Sequence, residues 1–129
     1  MNLLIDLNGI SIICLCLSIE ESLIFSTTCL FNLVCTNSDE IDLWVGKLLL
    51  EASNFKLICS GIEKSDDFEA LYELVSIMHW ICEIDSSKVS DQLSDSTKEK
   101  MLQLFTRFES DPEAESLLKM MKMILKTCS

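Results

Sequence analysis

The stretch LYELVSIMHWIC, Leu71 to Cys82, holds two sets of apolar residues at helical spacing. Leu71, Val75, Met78 and Cys82 form one stripe, and Leu74, Ile77 and Ile81 form another. A surface helix needs one apolar stripe, so apolar residues on more than one side predict a helix buried between neighbouring helices. Its start is marked by Ser65-Asp66-Asp67, where the spacing of Asp66 and Glu69 predicts a capping box, and the helix runs from Phe68 to Ile84.

The neighbours follow the same pattern. Ser38-Asp39-Glu40 places acids at a helix start, and Trp44, Val45, Leu48, Leu49 and Ala52 then recur at helical spacing up to Ser53-Asn54. A shorter element follows from Phe55 to Ile62, with Gly61 near its end. Beyond the central helix, Asp85 to Asp95 is rich in Ser and Asp and reads as a loop with one helical turn at Lys88–Leu93. Ser96 and Glu99 predict a second capping box, with Met101, Leu104, Phe105 and Phe108 on one face of the helix that follows. Asp111 and Pro112 suit an N-cap and a first helical position. The last helix turns Ala114, Leu117, Leu118, Met121, Ile124 and Leu125 inward and Lys119, Lys122 and Lys126 outward. ISIICLCLS, from Ile10, alternates poorly and fits either a strand or a buried helix.

Composition narrows the function. The chain has 129 residues, 49% of them hydrophobic, with three Gly and one Pro, which predicts one mostly helical domain. Its net charge of −11 repels phosphate backbones and excludes nucleic acid as an expected partner, whereas basic protein segments match it. The seven Cys are odd in number, form no C-x-x-C and sit mostly in apolar runs. They read as reduced core thiols of an intracellular protein, in cytoplasm or nucleus. The longest apolar run, Ile10–Ile19, is half of what a bilayer needs, and no Lys or Arg precedes Lys47, so neither a membrane span nor a signal peptide is expected. No metal or cofactor is expected: His79 has only Cys82 near it at helical spacing, no Gly-rich phosphate loop occurs, and no nucleophile–base–orienter set supports an enzyme.

Three long helices align: LIFSTTCLFNLV from Leu23, LYELVSIMHWIC from Leu71 and SLLKMMKMILKT from Ser116. The first unit, with Asn8-Gly9 followed by Ile10, Leu-spaced helices, an acidic turn and the L-x-N-L ending at Leu33, resembles an armadillo repeat; residues 3–36 carry the specific match. The second unit is looser, with Glu40–Ser53, Phe55–Lys64 and Phe68–Ile84 as its helices, and the third equally resembles a HEAT-type hairpin. The resemblance implies an all-α, right-handed superhelix of about three stacked units, near 1–37, 38–85 and 86–129, within a single domain 1–129.

Around the first long helix, Asn32 falls in a stripe with Glu21, Phe25 and Thr28, opposite Leu23, Thr27, Leu30 and Val34. The equivalent stripe of the second helix is Glu69, Glu73, Ser76, Trp80 and Glu83. In armadillo proteins this face lines a concave groove, so the resemblance implies that Phe25, Thr28, Asn32, Glu69, Glu73, Ser76, Trp80 and Glu83 bind an extended peptide. Asn32 would hydrogen-bond the peptide backbone, and Trp80 with its carboxylates would hold Lys or Arg. Import receptors of this family carry a Trp four residues before the Asn, where this chain has Thr28. The expected function is a non-enzymatic protein-interaction module for an extended, basic segment, with self-association through repeat ends as a further possibility. The alternative is a compact helical bundle of viral Bcl-2-like type that binds a partner helix.

Overall fold

The computed structural model describes residues 9–16, 28 and 46–128, and within them every regular element is helical. We number the helices α1 (Gly9–Cys16), α2 (Ala52–Lys64), α3 (Phe68–Ile84), α4 (Ser86–Gln92), α5 (Asp95–Phe108) and α6 (Glu115–Thr127). A helical segment at 46–49 precedes α2, and a 3₁₀ turn, Pro112–Ala114, leads into α6. The all-α expectation holds. ISIICLCLS, open to two readings, is helical as far as Cys16.

α3 occupies the position its sequence demands. Leu71, Leu74, Val75, Ile77, Met78 and Ile81 are all fully buried, because α2, α4 and α6 cover the helix from different sides. α2 contributes Phe55, Ile58 and Ile62 to this core, and α6 contributes Leu117, Met121 and Ile124. α5 packs on α2 and α6 through Met101, Leu104 and Phe108, and α1 packs on α2 with Cys14 inward.

The direction of packing follows from the contacts. Ser76 on α3 touches Met120 on α6, 44 residues on. The same spacing separates Glu69 from Glu113 and Tyr72 from Ser116, which share one cleft, and His79 from Met123 and Glu83 from Thr127, which share another. A constant offset means that the helices run parallel, since in an antiparallel pair the sequence separation of touching residues shrinks steadily toward the connecting loop. α2 and α5 behave alike. Lys100 bonds the carbonyls of Glu63 and Ser65, 37 and 35 residues back, and Arg107 bonds that of Asp66, 41 back. The pair α5–α6 therefore lies on the pair α2–α3, like on like.

Several element boundaries differ from expectation. The N-cap of α3 is Asp67, whose carboxylate accepts from the Ala70 N–H at 2.9 Å, rather than Asp66 in a box with Glu69. α5 is capped by Ser94, which accepts from the Thr97 N–H, rather than by Ser96. Asp111 caps as expected, but onto the 3₁₀ turn. Ser53-Asn54 does not end the preceding helix. That break falls at 50–51, and Asn54 is buried inside α2, where its amide donates to the Leu48 carbonyl at 2.9 Å. The side chain thus satisfies a terminal carbonyl of the earlier segment. The single turn expected at Lys88–Leu93 is a short helix starting at Ser86, capped by Asp85.

Gly46 lets the 46–49 segment approach α3. A Cβ there would collide with Ile84 Cδ1 and stand 3.4 Å from the Trp80 ring.

Candidate functional site

Of the residues singled out in the sequence, Glu69, Ser76 and Glu83 lie on the seam where α3 meets α6. Ser76 closes its middle: its hydroxyl donates to the Tyr72 carbonyl at 2.7 Å and lies 3.5 Å from Met120 Sδ. On either side the seam opens. Toward the helix starts is a cleft of about 480 Å³ between Phe68, Glu69 and Tyr72 of α3 and Glu113 and Ser116. Toward the helix ends is a cleft of about 210 Å³ lined by His79, Cys82, Glu83, Ser86, Met123 and Thr127.

The expected groove stripe does not stay on one kind of surface. Glu69 and Glu83 are exposed, Ser76 and Trp80 are half-buried, and Glu73 is 7% exposed. Trp80 packs against the core with its ring toward Gly46, so part of its face is used in packing. The Glu73 carboxylate accepts a hydrogen bond from Thr28 Oγ1 at 3.1 Å, which joins two expected site residues across 45 positions of sequence. Burial raises the Glu73 pKa above the ordinary glutamate value; the Thr28 hydroxyl pulls it down, and the charges of Glu69 and Asp67 push it up. Phe25 and Asn32 lie outside the described residues.

The first cleft has an aromatic wall. Phe68 and Tyr72 stack with ring centroids 6.4 Å apart, and Phe108 braces Phe68 edge-on at 5.4 Å. Glu69 sits in the first turn of α3 and Glu113 in the 3₁₀ turn before α6, so each also suits the dipole of its helix start. Among the described residues neither is in an ion pair. Phe68, Tyr72, Glu113 and Ser116 were not foreseen as site residues. The signal was present in the parallel register of the two helices, which brings Glu113 and Ser116 beside Glu69 and Tyr72.

The second cleft carries the chemistry of a quiet site. His79 Nε2 lies 4.0 Å from the Glu83 carboxylate. Burial pushes the Cys82 thiol up to about 12 and raises that of Cys128 as well. A thiol held neutral is the reverse of an activated nucleophile. Burial does the same to Cys14, at about 12, and Cys59, at about 11, and Cys14, Cys59, Cys82 and Cys128 form no disulfide. Among the described residues no three His, Cys, Asp or Glu side chains gather to hold a metal ion, and no helix is long and apolar enough to cross a membrane.

A third cleft, about 520 Å³, lies instead on the α2 side, between Phe55, Lys56, Cys59 and Glu63 and the residues Gln92, Ser94 and Ser96. Its carboxylate and lysine are both supplied by α2, and burial raises its Cys59 thiol well above the ordinary cysteine value. It offers less for a charged ligand than the smaller aromatic cleft. No family model, curated protein or solved structure matches this chain, so its own geometry has to carry the functional reading.

Proposed function

We propose that this chain is a non-enzymatic protein-interaction module, an armadillo-like right-handed stack of about three helical units, that binds an extended basic segment of a partner protein. The observation that carries the reading is the recurrence of offsets near one repeat length between parallel helices. Contacts recur at 35 to 45 residues along the described chain, from Thr28–Glu73 through Leu50–Gln92 and Glu63–Lys100 to Ser76–Met120. Stacked repeats touch only their neighbours at such a fixed period, whereas a bundle wrapped round one helix has no reason to keep it. Charge gives the partner: a net −11, with Glu69, Glu83 and Glu113 exposed along the α3–α6 seam, favours Lys and Arg. Free thiols suit a reducing compartment, cytoplasm or nucleus.

The Bcl-2-like alternative draws on one observation, the burial of α3 on several sides. Small-angle scattering separates the two, since a stack is elongated and a bundle is not. Function is tested by calorimetric titration of the whole chain with an extended basic peptide and with a charge-neutral counterpart. Binding of the basic peptide, weakened in Asn32→Ala with Trp80→Ala, is expected. Negligible binding of both peptides by wild type rejects the reading.

A further inference from the structure

We infer that the cleft between Phe68, Tyr72, Glu69, Glu113 and Ser116 takes an arginine side chain of the bound partner. The assignment rests on the partner-binding reading above and adds to it a defined site and a side-chain chemistry.

The cleft has three features that a guanidinium uses together. The Phe68 and Tyr72 rings, inclined at 28° to each other, give an aromatic wall whose Phe68 side is braced by Phe108. Glu69 and Glu113 stand at its edge from two different helices, exposed and without an ion-pair partner among the described residues. Ser116 adds a hydroxyl that can accept a further N–H. A planar cation lies on an aromatic face while its edge donates to carboxylates, and arginine does this better than lysine because its donors form a rigid fork.

The chain already performs this recognition on itself nearby. Its only arginine, Arg107, lies with Cζ 4.8 Å from the Phe108 ring centroid. The same guanidinium reaches the Asp66 carboxylate at 3.7 Å and donates to the Asp66 carbonyl at 3.1 Å. Ring, carboxylate and guanidinium thus come together at one end of the molecule. The adjoining cleft repeats the ring and the carboxylates and supplies no cation of its own among the described residues. Charge complementarity therefore selects the occupant, and a volume of about 480 Å³ is sufficient for a side chain.

The test is an NMR titration of the full chain with acetyl-Gly-Arg-Gly-amide, its citrulline isostere and its lysine counterpart. Expected are shifts of the Phe68, Glu69, Tyr72 and Ser116 amides and roughly five-fold tighter binding of the arginine peptide than the citrulline one. That preference disappears in Glu69→Gln with Glu113→Gln, both exposed positions where the fold is indifferent to the change. Equal affinity for arginine and citrulline, or a preference unaltered in the double variant, overturns the assignment. A lysine peptide binding as tightly as the arginine one overturns the guanidinium choice. A longer basic peptide separates the two proposals: binding at other residues, unaffected by the double variant, overturns the cleft alone. Capture of the arginine tripeptide with no tighter binding of the longer peptide overturns the extended-groove reading alone.

Discussion

The two parallel seams, α2 on α5 and α3 on α6, solve the same packing problem with different chemistry. The α2–α5 seam is held by cations on carbonyls. Lys100, 16% exposed, bonds the Glu63 and Ser65 carbonyls at 3.2 and 3.0 Å, where the end of α2 presents unpaired acceptors and negative dipole. Arg107 adds the Asp66 carbonyl just beyond α2, and beside the seam Gln92 of α4 bonds the Leu50 carbonyl just before α2 at 2.8 Å. The α3–α6 seam is held by hydrocarbon, from Leu71, Val75 and Met78 against Leu117, Met121 and Ile124, with the Ser76–Met120 contact between two clefts. Polar ties fix the register of one seam and use up its charges. The apolar seam leaves Glu69 and Glu113 without an ion-pair partner among the described residues, at a rim where a partner can be read.

This contrast can be broken or sharpened in order of expected effect. Met121→Ala opens the centre of the apolar seam, where Met121 is fully buried, and should cost about 2–5 kcal/mol of unfolding free energy in urea denaturation. Lys100→Met keeps the buried stem and removes the ties to two carbonyls, for about 1–2 kcal/mol in the same assay. If it costs as much as Met121→Ala, the polar seam is the stronger and the comparison reverses. Asp67→Ala removes the cap of α3 and should cost about 1 kcal/mol, measured by thermal unfolding.

Glu73 gives a pH signature. Its native pKa is raised, so the folded state holds the proton more tightly than the unfolded chain does. Its contribution is therefore fully present at acid pH and is lost as pH rises from the ordinary glutamate value through the raised native one. Glu73→Gln keeps an acceptor for Thr28 without the charge, so its stability should exceed wild type at neutral pH and stay flat across that interval. Denaturation midpoints of both proteins across a pH series check this. The smallest effect is expected at the rim: Glu69→Gln with Glu113→Gln should move stability by less than about 0.5 kcal/mol, because exposed charges contribute little to folding.

The sequence made the elements legible where the signal was long and local. α3 begins and ends at Phe68 and Ile84 as its periodicity required, and the inward faces of α5 and α6 were readable from Met101, Leu104, Phe108, Leu117, Met121 and Ile124. Caps were less legible. Ser65, Asp66 and Asp67 all have capping side chains, and only the path of the backbone selects Asp67, while Ser65 accepts from the Asp67 N–H and Asp66 turns to Lys100 and Arg107. Periodicity put Glu69, Glu73, Ser76, Trp80 and Glu83 on one stripe of α3, but it does not show which members of a stripe a neighbouring helix covers.

The sequence by itself therefore determined an all-helical, acidic chain with a doubly apolar α3, because helical periodicity and charge balance are properties of local spacing and composition. Tertiary structure alone decided the fate of each polar group. Asn54 became a tie to the earlier segment, Glu73 was buried against Thr28, and Arg107 was held by Phe108 and Asp66. Glu69 and Glu113, 44 residues apart like Ser76 and Met120, were left at the edge of one aromatic cleft. The physical reason is that desolvation and pairing depend on what a neighbouring helix brings to within a few ångströms, and here that is set by the parallel register of α3 and α6.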